Sequence, residues 1–165
     1  MSLFSAPFEE LTTGARFTTR GRTVTEADVV TFAGLTGDFH PQHVDAEWAA
    51  ERPFGERIAH GLLVLSTAAG LVPFDPERVV ALRKVRDVVF KRPVHLGDTI
   101  RVDGKVADVR PVDDSVGLVA VALTVTSARR TVLRATVEVL WTTDHVPAES
   151  NGHGEPADAL TCVPL

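Results

Sequence analysis

The spacing of apolar residues changes from a helical period to an alternating one at about residue 79. Before this point, residues 58–71 are apolar on every side, which predicts a core helix that is buried on nearly all sides. After it, alternation and turn residues predict four extended segments, each with one apolar face. These segments cover residues 79–94, 100–106, 118–126 and 131–141. Such strands are typical of a half-buried antiparallel sheet.

The N-terminal part of the chain predicts short elements that end at specific residues. Thr25 and Asp28 have the spacing of a capping box, and Gly37 is expected to end the helix that follows. Pro41 disfavours helix at the residue before it, so residues 38–42 are predicted to form a loop. The other predicted elements are a strand over residues 16–24, a helix over residues 26–35 and a helix over residues 46–51 capped by Asp45.

The order of these elements predicts the architecture. One all-apolar helix between an early strand and four later strands favours an α+β fold, in which a curved antiparallel sheet wraps around one central helix. The predicted domain covers residues 1–144 and is single. From about His145 the chain becomes polar and rich in glycine and proline, so residues 145–165 are predicted to form a disordered tail.

Composition narrows the classes of function. The net charge of −5, without a basic stripe, argues against a nucleic acid partner. Cys162 is the single cysteine, which excludes an intramolecular disulfide and a thiolate metal cluster and agrees with a reducing cytoplasm. The N-terminus lacks the features of a signal peptide, and the apolar stretch over residues 58–73 is too short and too interrupted to span a bilayer. We therefore expect a soluble cytoplasmic protein with no membrane partner.

Candidate chemistry is concentrated between Gly37 and His43. Asp38 and His43 lie five residues apart on the predicted loop, and a carboxylate beside an imidazole can move protons near neutral pH. The alternative is that Asp38 is a turn residue and His43 an ordinary surface histidine. Asp38, His40 and His43 also suggest a zinc site, but a short loop containing Pro41 is a poor template for one. No metal and no cofactor are predicted.

Three ordered motifs resemble the MaoC-like family of (R)-specific enoyl-CoA hydratases. The first is the segment Phe32-Ala-Gly-Leu-Thr-Gly-Asp38-Phe-His40-Pro41-Gln-His43. Ile58-Ala59-His60-Gly61 is similar to the family's entry into its central helix. Phe90-Lys-Arg-Pro-Val94, followed by Gly97-Asp98-Thr99, is similar to its strand–turn–strand segment. The resemblance covers about residues 14–142 and implies a hot-dog fold.

The resemblance implies a reaction and roles for particular residues. The family reversibly hydrates enoyl thioesters, or dehydrates 3-hydroxyacyl thioesters, carried on CoA or acyl carrier protein. Asp38 and His43 match the acid/base pair that shares one water. Gly61 matches the glycine whose backbone N–H stabilises the enolate-like thioester oxygen, at a helix N-terminus that favours negative charge. The alternative for Gly61 is that it permits tight packing of the helix on the sheet.

Three further residues are candidates for the same site. His60 is expected to be structural, hydrogen-bonding across the helix start, with a substrate contact as the alternative. Ser66 either lines the pocket or bonds back to its own helix. His40 stands where the family usually has asparagine. Neutral histidine also donates and accepts, but it is larger and titrates near neutral pH, so substrate choice, pH dependence or activity is expected to differ here.

Basic residues in the predicted extended segment over residues 79–94 are candidates for phosphate binding. Arg83, Lys91 and Arg92, together with Lys84 and Arg86, are positioned in sequence to bind the phosphates of CoA or of a phosphopantetheine arm. The alternative is that they form the solvated face of a strand.

Two other functions remain open from the sequence. The first is a hot-dog thioesterase, which would stabilise negative charge on the thioester oxygen in the same way. Many such enzymes place a carboxylate on the central helix, however, and residues 58–71 contain none. A non-catalytic acyl-binding partner subunit is the other. The resemblance also implies a homodimer in which two sheets join edge to edge, since an isolated sheet leaves an edge that needs cover.

Overall fold

The computed structural model describes residues 3–144. The predicted tail over residues 145–165 lies outside the described residues and stays a prediction. None of the helices in the described range is long and apolar enough to cross a membrane.

One antiparallel sheet forms the body of the domain. Its strands are β1 (Arg16–Thr18), β2 (Arg22–Thr23), β3 (Val79–Phe90), β4 (Thr99–Pro111), β5 (Val116–Ser127) and β6 (Arg130–Thr142). They follow the order β1-β4-β5-β6-β3, and β2 also pairs with β4. Alternating apolar residues place the core on one face, where Val102, Val121 and Val137 are almost completely buried.

The strands differ from the prediction at several boundaries, since β4 runs on to Pro111, past the predicted end at residue 106, and two other differences have a visible cause. The strand expected over residues 16–24 is interrupted: Thr18 pairs with Asp103 and Arg22 with Ile100, so four steps along one chain match three along β4. The extra residue forces a bulge-like break. β3 ends at Phe90 rather than at Val94. The chain leaves the ladder there, since the amides of the next two residues both bond to the carbonyl of Val132 and Pro93 has no N–H.

Within the described residues, four α-helices lie between β2 and β3, and two short 3-10 helices, Leu3–Ser5 and Phe8–Glu10, precede β1. The α-helices are α1 (Glu26–Thr36), α2 (Pro41–Val44), α3 (Ala46–Ala50) and α4 (Gly61–Leu71). The predicted capping box of α1 is confirmed, with both bonds between Thr25 and Asp28 present, and Gly37 ends the helix at a left-handed φ of 77°. The predicted loop over residues 38–42 is wrong in its second half. Pro41 occupies the first position of α2, where its missing N–H has no intrahelical partner to lose.

The central helix α4 packs against β4 and β6, as the predicted architecture requires. It begins at Gly61, three residues later than expected, because Ile58 forms an isolated bridge with His95. The prediction that this helix is buried on every side is wrong for the single chain. Leu62 is 60% exposed, and Ser66 and Gly70, which follow at four-residue spacing, are exposed as well.

Candidate active site

The turn after α1 and the first residues of α2 position the candidate acid/base residues. Asp38 follows the left-handed turn at Gly37, and its carboxylate accepts the backbone N–H of His40 at 3.3 Å. The Nδ1 atom of His40 in turn accepts the N–H of Gln42 at 3.1 Å and caps α2. One turn of helix then directs His43 inward, so that this side chain is only 8% exposed while Asp38 stays exposed.

The imidazole of His43 is held in one tautomer. Its Nδ1 lies 2.7 Å from the carbonyl oxygen of Ile58. A carbonyl only accepts, so Nδ1 carries the hydrogen and Nε2 is left with a free lone pair. Burial lowers the pKa of His43, and the hydrogen bond to Ile58 opposes this only in part. The side chain is therefore a neutral base over a pH range that extends below the usual histidine limit.

Asp38, His43 and His60 form one compact group. Each of them offers a donor atom within 4.8 Å of those of the other two. The rings of His43 and His60 are stacked, with centroids 3.8 Å apart and planes inclined by 29°. Lone pairs of stacked imidazoles lie in nearly parallel planes, and they do not converge on one ion at about 2.0–2.1 Å. The structure thus brings a carboxylate and two imidazoles within reach of one another.

A cavity of about 420 Å³ opens beside His43 and Gly61. Lys91 and Arg92 are its cationic lining residues. Its walls are otherwise mainly apolar, which is typical of a small-molecule site with a few polar groups. The apolar lining includes Phe54, Ile58, Leu62, Val64, Phe90 and Val94.

Gly61 begins α4 at the edge of this cavity, where there is no room for a side chain. A Cβ atom at this position would meet the ring of Phe90 at 2.8 Å. Gly61 thus lets the start of α4 pack closely against Phe90 at the end of β3. The same close packing brings the helix N-terminus, with its partial positive charge, to the cavity wall. The two interpretations of Gly61 are compatible.

Comparison with known proteins gives the family. The model of the MaoC like domain matches residues 8–128. The chain belongs to the MaoC-like family.

Curated relatives of this MaoC-like chain include enzymes of thioester chemistry. Protein MaoC of Klebsiella aerogenes is 45% identical over 60% of this chain and 30% of its own length. A 3-hydroxybutyryl-CoA dehydratase of Methylorubrum extorquens is 34% identical over 63% of this chain and 66% of its own. An (R)-specific enoyl-CoA hydratase of Rhodospirillum rubrum is 32% identical over 56% and 64%. The matched region covers less than two thirds of each relative.

Solved structures establish the fold. A monoamine oxidase regulatory protein from Archaeoglobus superposes with a TM-score of 0.78 at 39% identity, covering 84% of this chain and 95% of that one. A Mycobacterium tuberculosis protein with a double hotdog fold superposes with a TM-score of 0.74 at 23% identity, covering 92% of this chain and 48% of that one. The predicted hot-dog fold of this MaoC-like domain is confirmed.

The remaining predicted site residues separate into two groups. Lys91 and Arg92 line the cavity, whereas Ser66 lines a different hollow with Arg20 and Arg22. Arg83 lies apart from the cavity, 3.7 Å from the buried carboxylate of Glu138. Lys84 and Arg86 face the same carboxylate: Lys84 pairs with Glu138 in the strand register, and Arg86 binds it at 2.7 Å.

Sequence reasoning missed the apolar residues that give the cavity its shape. Phe54 lies in the loop after α3 and Leu62 in the first turn of α4, and both are large apolar side chains that stay exposed. Two features of the sequence indicate these cavity residues. Phe54 stands between a proline and a glycine, and the segment around Leu62 has more apolar residues than a helix with one buried face needs. Gln42, between the two histidines, also lines the cavity.

Proposed function

We propose that this MaoC-like domain catalyses the reversible, (R)-specific hydration of enoyl thioesters, or the dehydration of 3-hydroxyacyl thioesters. The observation that carries the proposal is the state of His43. Its Nδ1 is committed to the Ile58 carbonyl, and its Nε2 is a free base beside an apolar cavity that suits an acyl chain. Curated relatives named as hydratases and dehydratases support the same chemistry.

In the proposed mechanism, Asp38 and the Nε2 atom of His43 hold one water between them. As the water oxygen bonds to the β-carbon, the pair takes one proton, and the π electrons of the double bond move onto the thioester oxygen. The pair then returns a proton to the α-carbon, which completes the hydration. Dehydration follows the same steps in reverse. The acid and base roles belong to the pair rather than to either residue alone.

Charge on the thioester oxygen is proposed to be stabilised at the start of α4. The backbone N–H of Gly61 and the helix N-terminus are preorganised donors of the kind that an enolate needs. Because Gly61 has no side chain, the ring of Phe90 packs where a Cβ atom would lie. In this proposal the thioester reaches the backbone N–H from the cavity that Gly61 and Phe90 both line.

We propose Lys91 and Arg92 for the phosphates of the thioester's carrier, because both line the cavity. The guanidinium of Arg92 is already oriented by a 2.7 Å bond to the carbonyl of Thr131. Arg83 is not included, since its charge faces Glu138.

The direct test follows the enoyl-thioester absorbance of crotonyl-CoA after the protein is added. We expect the band to disappear and chiral analysis to identify (R)-3-hydroxybutyryl-CoA. Release of free thiol would instead indicate a thioesterase. If neither crotonyl-CoA nor crotonyl-acyl carrier protein is consumed, the hydratase proposal is wrong and the non-catalytic alternative stands. A rate with the carrier protein alone would identify the substrate's carrier.

We also propose that two copies pair through β3. Within the described residues this strand bonds only to β6, and it exposes Val80, Leu82 and Val89 at 58%, 57% and 47%. An exposed apolar edge strand is a template for pairing with another chain. A second copy of this chain is the proposed partner, because pairing of the two β3 strands covers the exposed sheet edge of both copies at once.

The expected result is a dimer in sedimentation velocity for the wild type and a monomer for Leu82→Glu. Leu35→Glu is the matched control, because Leu35 is 81% exposed on α1, away from the sheet edge. A wild-type monomer, or a dimer that Leu82→Glu leaves intact, would contradict pairing through β3.

A further inference from the structure

We propose that His60 is a positioning residue that holds both Asp38 and His43 in the geometry that proton transfer needs. The inference rests on the proposed hydratase function. His60 is 2% exposed and precedes Gly61 at the start of α4. It takes no part in capping that helix with its side chain. Both of its main contacts are with the acid/base pair.

The first contact ties the Asp38 backbone to the central helix. The Nε2 atom of His60 lies 3.0 Å from the carbonyl oxygen of Asp38, across 22 residues of sequence. The carbonyl accepts, so Nε2 carries the hydrogen, and Nδ1 is left as a buried acceptor that has no partner among the described residues. Such an unsatisfied buried atom costs free energy and calls for an explanation. The bond from Nε2 to the Asp38 carbonyl offsets this cost, because it fixes the exposed loop that carries the Asp38 carboxylate.

The second contact fixes the ring of His43. The stack at 3.8 Å limits rotation of the His43 imidazole on one side, while the Ile58 carbonyl holds its Nδ1. The ring of Phe32 lies 5.1 Å from His60, so His60 is itself held in place. Stacking also keeps water from one face of His43, which contributes to the burial that lowers its pKa. His60 thus connects the backbone of Asp38 and the imidazole of His43 through one rigid side chain.

The two contacts can be separated by two substitutions. His60→Phe keeps an aromatic ring against His43 but loses the donor to Asp38. His60→Gln keeps an amide donor but loses the ring. We expect each to lower kcat for crotonyl-CoA about 10–100-fold with little change in KM, because small misplacement of a reacting group alone can cost a factor of this size.

The pH dependence distinguishes positioning from a general structural role. The titratable groups that face His43 are Asp38, His40 and His60. Losing the stacked ring exposes His43 to water, so its pKa should rise toward the ordinary value in His60→Gln. A base with a raised pKa is protonated at higher pH, and the acid limb of the kcat profile therefore moves to higher pH. In His60→Phe, burial is kept and the limb should stay in place.

The experiment combines these kinetics with an NMR titration of the His43 ring protons, which needs no substrate. His95→Gln is the matched control, because His95 also has a buried ring nitrogen with no partner among the described residues but lies outside the acid/base group. We expect its kcat and acid limb to match those of the wild type. Circular dichroism establishes that each variant is folded.

The inference is overturned if folded His60→Phe and His60→Gln both keep the wild-type kcat, or if both leave the His43 titration unchanged. Equal loss in the His95→Gln control would also overturn it. If the wild type does not hydrate crotonyl thioesters, the proposed function fails. The NMR arm then still decides whether His60 controls the environment of His43.

Discussion

Replacing His43 with glutamine is expected to lower kcat for crotonyl-CoA hydration by about 10²–10⁴-fold, the usual contribution of a positioned acid/base group. Glutamine can still donate to the carbonyl of Ile58, so local structure should be retained. It offers no atom that accepts a proton near neutral pH, which removes the function of the Nε2 lone pair. KM should change little, because glutamine has a similar size and the apolar residues that line the cavity are unchanged. Steady-state kinetics on the enoyl-thioester band give both constants.

The partner substitution Asp38→Asn should have an effect of similar size, since it is isosteric and removes the carboxylate charge. The double variant is expected to lose little more than either single variant, because residues that act as one unit are strongly non-additive. Asp108→Asn is the matched control, as its carboxylate pairs with Arg110 on the exposed side of β4. An Asp38→Asn rate within a few-fold of the wild type would remove Asp38 from the mechanism.

Replacing Trp141 with alanine is expected to lower the free energy of unfolding by about 3–5 kcal/mol, the range for large aromatic deletions in a core. Trp141 is 1% exposed and lies among the rings of Phe4 and Phe74. Its Nε1–H also donates to the carbonyl of Ala6 at 3.1 Å, which fastens the N-terminal segment over the end of β6. Truncation leaves both a cavity and an unpaired carbonyl.

Trp141→Phe separates these two contributions. It keeps most of the packing and removes only the donor, so a smaller loss of about 1–3 kcal/mol is expected from the unsatisfied buried carbonyl. Urea denaturation followed by circular dichroism measures both variants, at one protein concentration because a dimer links stability to concentration. An alanine variant no less stable than the phenylalanine variant would show that the aromatic cluster is not a major part of the core.

Local patterns predicted the elements whose determinants lie close together in sequence. The capping box at Thr25 and the left-handed stop at Gly37 depend on contacts within a few residues, and both are present. The alternating segments from residue 100 onward pair as neighbouring antiparallel strands, because short turns connect each strand to the next. The loop prediction is wrong at Pro41, because a proline disfavours helix at the residue before it but is well suited to the first position of a helix.

Pairing across long distances decided what the pattern could not. The break between β1 and β2 arises because this part of the chain has one residue more than the stretch of β4 with which it pairs. A local sequence pattern does not show which residues of a distant strand will be paired. The basic residues of β3 form one run in sequence, yet Arg83 faces Glu138 of β6, while Lys91 and Arg92, just beyond the strand, reach the cavity. A strand's neighbour determines which charges are neutralised.

The sequence by itself determined the central helix and the antiparallel sheet, because residue spacing along a short segment dictates local hydrogen bonds and the side on which apolar groups lie. It also located the segment of Asp38 and His43, for which we propose the acid/base role. Only the tertiary structure decided which backbone carbonyls the rings of His43 and His60 bond to. The carbonyl of Ile58 and the loop of Asp38 are 15 and 22 residues from their histidine partners. Contacts of that kind exist only when the sheet has packed against α4 and brought distant backbone groups within hydrogen-bonding distance.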